Sequence, residues 1–379
     1  MKKFIIVMSI LCITLSIFAS CGDDDIESIT SEVSTINMEQ KTLNLADENV
    51  SSRLKIQGRY AVIENEGITF DWTGSTLECN AYCMGDVSIA MILQSLVQDN
   101  WNCYFTVFVD GTQQERVELQ SSSLNPEIKS LTIASGLEEG NHSFKIVRQT
   151  ESALALVTFR SLSVSGELTE RPKDNDLYIE FYGDSIAVGL GNLILNTNGP
   201  ESFYPINQDG TLSYPYMTAQ ALGADVSIVA RTGIGVKKGW DDGNPDMISV
   251  YPYTNFYRNK TNLWSFERKA DIISINLGTN DCWLGLSSED LQAAMVEFLT
   301  MVRQDNPNAK IVWVVGGMEH LYETQATNAI EECGGADKGF YVFKMSIAEK
   351  NGGKMHPYYT EYPKLVDELT EFLRELLNQ

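Results

Sequence analysis

Hydrophobic and polar residues follow one pattern in the first half of the chain and another in the second. Between residues 53 and 164, short runs of strand-like alternation are separated by turns, for example at 104–111 and 143–148. The pairs Asp110-Gly111 and Gly140-Asn141 between such runs are typical of β-hairpins. Helical periodicity is almost absent here, so the pattern predicts an all-β, jelly-roll-like sandwich.

Beyond residue 176 the pattern predicts strands that alternate with helices. Short apolar runs of the kind that a parallel sheet buries on both faces occupy 177–182, 225–230, 272–277, 311–315 and 340–343. A capping box at 287–290 predicts a helix over 289–304, with an apolar stripe at Leu291, Met295, Phe298 and Val302. A second stripe, at Leu365, Leu369, Phe372 and Leu376, predicts another helix from residue 363 onward. This order favours an open α/β/α sandwich with a flavodoxin-like parallel sheet, whose functional residues lie at the carboxyl ends of the strands.

Composition indicates where these parts begin and end. The segment 172–176 is polar and begins with proline, and residues 22–40 are rich in aspartate, serine and threonine. We therefore predict a flexible tether over 21–45, a β-sandwich domain over 46–171 and an α/β domain over 177–379.

The first twenty residues have the composition of an export signal. Two lysines precede an apolar segment, 4–18, that is too short to span a bilayer. The ending Ala19-Ser20-Cys21 resembles a bacterial lipoprotein box, in which residues 1–20 are a signal peptide and Cys21 becomes the lipidated first residue. An ordinary cleaved signal with an incidental cysteine is the alternative. The lipoprotein interpretation predicts an exported protein, anchored by lipid to a bacterial membrane, in particular the outer membrane, at the periplasm or cell surface.

Charge and cysteine content indicate which partners, disulfides and metal sites to expect. The formal net charge of −23 argues against nucleic acid and favours neutral or weakly charged substrates. If Cys21 is lipidated, an odd number of cysteines remains, at 79, 83, 103, 282 and 333, so no complete disulfide framework follows. Their spacing lacks paired Cys-x-x-Cys elements with nearby histidines, so we expect neither a metal site nor a cofactor.

The segment 178–191 predicts a strand that turns sharply into a helix at Gly183-Asp184-Ser185. Ser185 would lie at the helix N-terminus, where free N–H groups favour developing negative charge, as a nucleophile requires. Taken alone, the tripeptide is better explained as an Asp-Ser helix cap in an ordinary strand-helix turn. Three further loops are expected beside Ser185: the glycine loop 230–236, the segment Gly278-Thr-Asn-Asp281, and His356-Pro357.

The order Gly-Asp-Ser, loop glycine, Gly-x-Asn-Asp and C-terminal histidine resembles the SGNH (GDSL-type) hydrolase superfamily, over roughly residues 177–379. The upstream region resembles the β-sandwich of carbohydrate esterase family 2, whose members are two-domain acetyl esterases acting on acetylated hemicelluloses. The segments that carry this second resemblance are Gly58-Arg-Tyr, Phe70-Asp-Trp-Thr-Gly-Ser75, Val109-Asp-Gly111, residues 135–142 and Arg148-Gln-Thr-Glu151.

Ester hydrolysis needs a nucleophile, a base and donors for the oxyanion. The resemblance implies Ser185 as nucleophile and His356 as base. The backbone N–H groups of Ser185 and Gly233, with the side-chain amide of Asn280, would form the oxyanion hole, and Gly235 is the alternative to Gly233.

Other residues leave alternatives open. His320 follows the fourth α/β strand and is a second candidate for the base, whereas a hairpin role is expected for His142. Trp240 and Trp283 follow the motifs closely and are candidates to stack on a sugar ring, although core packing explains a tryptophan equally well.

One position departs from the superfamily pattern, which usually has an aspartate three residues before the histidine. Here that position is Gly353, and the pair Gly352-Gly353 predicts backbone angles that a side chain disfavours. Either a backbone carbonyl near Lys354 orients the ring, which gives a Ser-His dyad, or a distant acid such as Asp337 or Glu361 takes the place of the aspartate.

The resemblance therefore implies a serine esterase that removes O-acetyl groups from plant polysaccharides or oligosaccharides, such as xylan and glucomannan. Its partners would be an acetylated carbohydrate and, through the lipid, a membrane. The alternatives are another SGNH activity, such as lipase or thioesterase, and a non-catalytic glycan-binding lipoprotein.

Overall fold

The computed structural model describes residues 38–378, apart from 97–101, 121–123, 153, 241–244, 256 and 258–261. Cys21, the signal segment and the first part of the tether lie outside the described residues. The tether prediction is wrong at its C-terminal end, because Gln40–Asn44 form a strand that pairs with the sandwich. Within the described part of the chain, no helix combines the length and the apolar character that crossing a membrane requires.

An antiparallel β-sandwich forms the N-terminal part, as the alternation predicts. The strands are β1 (Gln40–Asn44), β2 (Lys55–Gln57), β3 (Ala61–Ile63), β4 (Gly67–Thr69), β5 (Thr76–Ser95), β6 (Cys103–Val109), β7 (Thr112–Gln113), β8 (Val117–Leu119), β9 (Glu127–Arg148) and β10 (Ala155–Leu168), with a short helix α1 (Glu48–Ser51) after β1. Their order is β3-β4-β10-β5-β9-β6-β7, with β1, β2 and β8 beside β10, β5 and β6. The long strands β5, β9 and β10 carry register shifts, which bend a strand.

One of the two predicted hairpin turns is confirmed. Asp110 and Gly111 join β6 to β7 with φ of 50° and 75°, the left-handed backbone that a two-residue turn needs. The Gly140-Asn141 prediction is wrong, because both residues lie inside β9 and pair with Cys83 and Tyr82 of β5. The glycine falls beside a register shift between the two strands, so it accommodates a bulge and not a reversal of the chain.

A parallel sheet forms the second part and confirms the α/β/α prediction. Its strands, β11 (Tyr178–Gly183), β12 (Asp225–Ala230), β13 (Ile272–Asn276), β14 (Lys310–Gly317) and β15 (Phe340–Ile347), lie in the order β12-β11-β13-β14-β15. The helices are α2 (Ser185–Val188), α3 (Tyr214–Leu222), α4 (Met247–Val250), α5 (Thr279–Trp283), α6 (Ser288–Asp305), α7 (Glu323–Glu332) and α8 (Tyr362–Leu377). Buried residues of α6 and α7 pack into one core cluster and those of α3 and α8 into another, so the sheet is covered on both faces.

The two long helices begin where the sequence predicts, to within a residue. The Ser287 side chain caps α6 by accepting the Asp290 N–H at 3.1 Å, and the predicted stripe of α6 is buried. In α8 the buried residue of the third turn is Leu373. Phe372 was expected there, but it is half-buried and stacks on Phe343 of β15.

The sandwich and the α/β part form one compact unit, because buried residues of the sandwich pack into the core of the α/β part. Trp72 of the sandwich lies in the core of the α/β part, and its Nε1 donates to the Thr254 carbonyl at 2.8 Å. The fully buried Arg59 donates to the carbonyls of Tyr251 and Tyr253 and, at 2.9 Å, to the Tyr182 hydroxyl. Two segments that resemble family 2 esterases thus lie at the junction.

Candidate active site

The carboxyl ends of β11, β12 and β13 hold most of the predicted site residues. Ser185 opens α2 directly after β11, and the Asp184 side chain accepts the Ile186 N–H at 3.2 Å. Gly183 makes this turn possible, since a Cβ there would stand 2.6 Å from the Ala187 side chain. The sharp strand-to-helix turn predicted from the sequence is therefore present.

In the structure, the His356 ring contacts Ser185, although the two residues are 171 positions apart in the chain. The distance between His356 Nε2 and Ser185 Oγ is 2.7 Å, and that between His356 Nδ1 and the Lys354 carbonyl oxygen is 2.9 Å. A carbonyl only accepts, so Nδ1 carries the proton and Nε2 accepts from the serine hydroxyl. Both ring nitrogens thus have partners.

The backbone of Lys354 and Met355 makes this contact possible. Their φ angles, 52° and 60°, lie in the left-handed region that residues with a side chain seldom adopt. The Lys354 N–H donates to the Thr197 carbonyl at 2.7 Å, which ties the loop to a neighbouring segment. Strained backbone of this kind is common where a functional group must be aimed.

Neither distant acid considered from the sequence is a hydrogen-bond partner of the His356 ring. The Glu361 carboxylate accepts the backbone N–H groups of Lys350 and Asn351, at 2.9 and 3.1 Å. Asp337 lies in a single helical turn just before β15, at the opposite end of the strands from Ser185.

Burial shifts the pKa values of two groups beside the serine. Loss of solvent lowers the pKa of His356 to about 4, and the positive charge of Lys350 acts in the same direction. Burial, reinforced by the neighbouring Asp281 carboxylate, raises the pKa of Asp184 to about 7. The imidazole is therefore neutral at neutral pH, as a general base must be.

The candidate oxyanion donors converge on the same cleft. Gly233 lies in the cleft wall with φ of 79°, whereas a Cβ on Gly235 would stand 2.2 Å from the Lys238 carbonyl oxygen. Gly235 is packed inside its own loop, so the geometry favours Gly233. The Asn280 amide donates to the Ile234 carbonyl at 2.8 Å and to Asp184 Oδ2 at 3.2 Å.

Sequence reasoning missed two carboxylates that hold the glycine loop. The fully buried Asp281 accepts the backbone N–H groups of three consecutive residues, Val236, Lys237 and Lys238, at 2.8 to 2.9 Å. Its place directly after Asn280 is the signal that could have found it. Glu151 binds Thr232 at the other end of the loop, and its distance along the chain hides that contact.

The cleft around Ser185 has a volume of about 660 Å³. Trp240 and Trp283 line it with 52% and 56% of their surface exposed, so core packing does not explain either residue. Charged side chains also reach the cleft, among them Arg231 and a Lys350–Glu319 ion pair with an N–O distance of 2.6 Å.

The structure does not bring the other two histidines to the serine. His320 Nε2 hydrogen-bonds the Met345 carbonyl oxygen at 2.8 Å. His142 lies in β9 and bonds Asp110 Oδ2 at 2.8 Å, which links it to the β6–β7 hairpin and raises its pKa.

The cysteines carry neither a bridge nor a metal site in the described part of the chain. Cys79, Cys83, Cys103, Cys282 and Cys333 are all free thiols. Within the described ranges, no group of three or more His, Cys, Asp or Glu side chains could hold a metal ion.

A parallel sheet with a serine and a histidine paired at its carboxyl edge, preceded by an antiparallel sandwich, defines a GDSL-type hydrolase fold with an added β-domain. Residues 181–352 match the GDSL-like Lipase/Acylhydrolase family, and residues 56–172 match the Carbohydrate esterase 2 N-terminal family. The chain is homologous to the carbohydrate esterase family 2 acetylxylan esterases.

Two curated relatives illustrate this homology. The cellulase/esterase CelE of Acetivibrio thermocellus is 29% identical over 333 residues, which are 84% of this chain and 39% of that protein. An acetylxylan esterase / glucomannan deacetylase of Cellvibrio japonicus is 28% identical over 196 residues, 46% of this chain and 52% of that protein. The matches thus span about half or less of these two relatives.

Solved structures share the whole architecture. A family two carbohydrate esterase from Clostridium thermocellum in complex with cellohexaose is 26% identical with a TM-score of 0.76, over 86% of this chain and 99% of that one. The acetyl xylan esterase Est2A from Butyrivibrio proteoclasticus has a TM-score of 0.78 at 22% identity, over 89% and 99% of the two chains, and shows the common fold.

Proposed function

We propose that the protein is a serine esterase that removes O-acetyl groups from plant polysaccharides or their oligosaccharides, such as xylan and glucomannan. The observation that carries the proposal is the 2.7 Å contact between Ser185 Oγ and His356 Nε2 in an open cleft. Relatives named acetylxylan esterase and glucomannan deacetylase support the acetyl group and the sugar.

The first half-reaction acylates the serine through a Ser-His dyad. Ser185 Oγ attacks the acetyl carbonyl carbon while His356 Nε2 takes the hydroxyl proton, and the Lys354 carbonyl holds the ring through Nδ1–H. The C–O bond to the sugar then breaks, and His356 returns its proton to the departing sugar hydroxyl. Water repeats these steps on the acetyl-serine and releases acetate.

The negative charge of the tetrahedral intermediate falls on the former carbonyl oxygen. The backbone N–H groups of Ser185 and Gly233 and the amide of Asn280 are proposed to bind it. The Asn280 amide would exchange its longer contact, 3.2 Å to Asp184, for the oxyanion. A neutral amide suits this place, because a carboxylate would repel the developing charge.

Two exposed tryptophans supply the proposed sugar platform. Trp240 packs over Gly233, where a Cβ on the glycine would stand 3.3 Å from the tryptophan Cβ, and Trp283 lies one turn beyond Asn280. Indole rings bury apolar area at low entropic cost, which suits the flat face of a pyranose. Trp283→Ala should raise KM for acetylated oligosaccharides more than KM for p-nitrophenyl acetate.

A panel of p-nitrophenyl esters from acetyl to octanoyl, followed by acetate release from acetylated xylan and glucomannan, tests the proposal. We expect rates to fall steeply beyond propionyl and Ser185→Ala to be inactive throughout. Octanoyl turnover equal to or above acetyl turnover would instead make the protein a lipase-type hydrolase. Sugar binding that Ser185→Ala leaves unchanged, without turnover by the unmodified protein, would make it a glycan-binding protein.

We also propose that the protein is exported and anchored by a lipid on Cys21, at the outer membrane of a bacterium. The support is the sequence of residues 1–21, with its two lysines, short apolar segment and Ala-Ser-Cys ending. Mass spectrometry of the membrane-extracted protein should find a diacylglycerol-modified N-terminus, and Cys21→Ser should be released from membranes. A soluble mature chain with a free Cys21 thiol would contradict the proposal.

A further inference from the structure

We propose that Glu151, a residue of the β-sandwich domain, is a positioning residue for the deacetylation reaction: it holds Thr232 so that the next backbone N–H, that of Gly233, faces the oxyanion. This inference rests on the proposed function and adds to it. It makes the β-domain part of the catalytic machinery of the α/β domain.

Glu151 binds Thr232 through both of its carboxylate oxygens. Oε2 accepts the Thr232 backbone N–H at 2.8 Å, and Oε1 accepts the Thr232 hydroxyl at 2.8 Å. Two bonds from one planar group fix both the position and the orientation of the residue they hold. The peptide that follows Thr232 carries the Gly233 N–H, so the carboxylate acts one residue away from the proposed donor.

The carboxylate itself has a rigid support. Gln208 Nε2 donates to Glu151 Oε1 at 3.0 Å, and the Glu151 backbone N–H donates to Gln208 Oε1 at 3.0 Å. Glu151 and Gln208 are only 3% and 1% exposed, so these bonds are shielded from water. A carboxyl group this deeply buried is costly unless it is hydrogen-bonded, and this one accepts three hydrogen bonds.

The rest of the loop is held from within the α/β domain. Asn280 binds the Ile234 carbonyl, and Asp281 binds three backbone N–H groups after Gly235. These contacts fix the loop on the far side of Gly233. The near side, at Thr232, is held by a residue 81 positions earlier in the chain.

A purely structural role predicts something different. If Glu151 served only to join the two domains, removing it should resemble the removal of any other buried interface carboxylate. Asp225 is such a residue: it lies at the start of β12, while Thr232 follows the end of the same strand. Lys55 of the sandwich binds Asp225 at 2.7 Å and Arg268 binds it at 2.6 Å, at the edge of the sheet opposite Ser185.

The experiment compares Glu151→Gln, Thr232→Val and the matched control Asp225→Asn in the full-length protein. A glutamine keeps the shape but presents an NH₂ group to donors, so either orientation of its amide loses at least one bond. Each variant is measured for melting temperature, for kcat and KM on p-nitrophenyl acetate, and for inhibition by ethylboronic acid, which forms a tetrahedral anion on a serine.

We expect Glu151→Gln to lower kcat about 10²-fold with little change in KM, because a misplaced donor costs transition-state binding. Inhibition by the boronic acid should weaken by a similar factor. Thr232→Val should lower kcat about tenfold. The double variant Glu151→Gln/Thr232→Val should lower kcat by less than the product of the two single losses. Asp225→Asn should lower the melting temperature but leave kcat and boronate affinity within about twofold.

The inference is overturned if Glu151→Gln keeps kcat and boronate affinity as Asp225→Asn does. If Glu151→Gln does not fold, Thr232→Val decides, and a kcat within twofold of the unmodified protein overturns the inference. No turnover by the unmodified protein is a different outcome: the proposed function itself then fails, and this inference falls with it.

Discussion

At the scale of single residues, the unusual feature is a histidine oriented by a carbonyl instead of a carboxylate. The Lys354 carbonyl fixes the tautomer of His356 as an aspartate would, but it carries no full negative charge. An imidazolium formed during the reaction therefore lacks the stabilisation that a buried aspartate gives it in a triad. Burial lowers the pKa of His356 to about 4, and the hydrogen bond to the Lys354 carbonyl, which raises that pKa, does not offset the loss of solvent.

The lowered pKa of His356 predicts that kcat/KM is constant across neutral pH. Burial favours the neutral imidazole, so the base is active at all pH values above its lowered pKa of about 4 and is lost only as pH falls through that value. The pH dependence of kcat/KM should show an acid limb of unit slope with an apparent pKa below 6.5. An acid limb at or above 6.5 would contradict the burial argument.

A double variant tests how much the charge of Lys350 contributes to the lowered pKa of His356. Lys350 lowers the pKa of His356, and Glu319 neutralises Lys350, so Lys350→Met/Glu319→Gln removes both charges together. The acid limb should move only slightly to higher pH, because desolvation lowers the pKa of His356 more than the Lys350 charge does. An unchanged limb would leave desolvation as the whole cause of the shift.

The proposed Ser-His dyad predicts a particular pattern of mutational losses. Ser185→Ala and His356→Ala should each reduce kcat by a similar factor, on the order of 10⁶, because the pair acts as one unit. Asn280→Ala should reduce kcat about 10²–10³-fold, since it removes one of the proposed oxyanion donors. Steady-state kinetics on p-nitrophenyl acetate measures all three.

Controls for this pattern use the residues that the structure keeps away from the ring. His320→Ala, Asp337→Asn and Glu361→Gln should each reduce kcat far less than His356→Ala. A loss of about 10⁴-fold in Asp337→Asn or Glu361→Gln would identify a displaced triad acid, since that is the effect of removing the orienting aspartate in serine triads.

At the scale of elements, the loop 352–356 explains why no aspartate stands three residues before the histidine. The sequence suggested unusual backbone angles at Gly352 and Gly353, but neither glycine is in the left-handed region. The reason is space: a Cβ on Gly353 would stand 2.8 Å from Ser202 Oγ and 2.9 Å from Ser202 Cβ. The left-handed residues are the next two, Lys354 and Met355.

Gly353→Asp is therefore expected to lower both the melting temperature and kcat instead of completing a triad. Gly353→Ala should cause a similar loss, because the first carbon of the side chain already meets Ser202. Ser202→Gly/Gly353→Ala should recover much of it, since the double variant removes the obstacle. A gain in kcat for Gly353→Asp would show that the loop can accept an orienting acid.

At the scale of the whole molecule, the junction between the two parts is built like a core. Arg59 bonds the Tyr182 hydroxyl, and Tyr182 in turn bonds the buried Glu180 carboxylate at 2.5 Å. Arg59 also lies over the rings of Tyr251 and Phe266, with its guanidinium carbon 5.3 and 4.9 Å from their centroids. With such a junction, we expect the two parts to fold and unfold as one cooperative unit.

Arg59→Met should destabilise the protein by about 3–5 kcal/mol, because it leaves a buried carboxylate network without its cation. An exposed pair offers the control: Lys344→Met, which breaks the contact to Glu323, should stay within about 1 kcal/mol. Urea denaturation followed by circular dichroism and tryptophan fluorescence should give one coincident transition. Two separate transitions would mean that the parts fold independently.

Features that depend on neighbouring residues could be predicted from the chain alone. Period-two alternation and buried apolar runs predicted the sandwich and the parallel sheet, and the cap at Ser287 predicted the start of α6 to within a residue. The Gly183-Asp184-Ser185 turn was likewise predictable, because the glycine and the helix N-terminus act on neighbouring atoms. The order of the motifs identified His356 as the base, but its distance from Ser185 could not be predicted.

Contacts between residues that are distant in the chain could not be predicted in this way. The Glu151 clamp on Thr232 and the Arg59 contact with Tyr182 join residues 81 and 123 positions apart, and no local pattern records such a distance. The partner of His356 Nδ1 was equally hidden, since a carbonyl belongs to every residue and becomes an orienting group only when backbone angles aim it. Side-chain type is written in the sequence, whereas the direction of a backbone carbonyl is set by the packing around it.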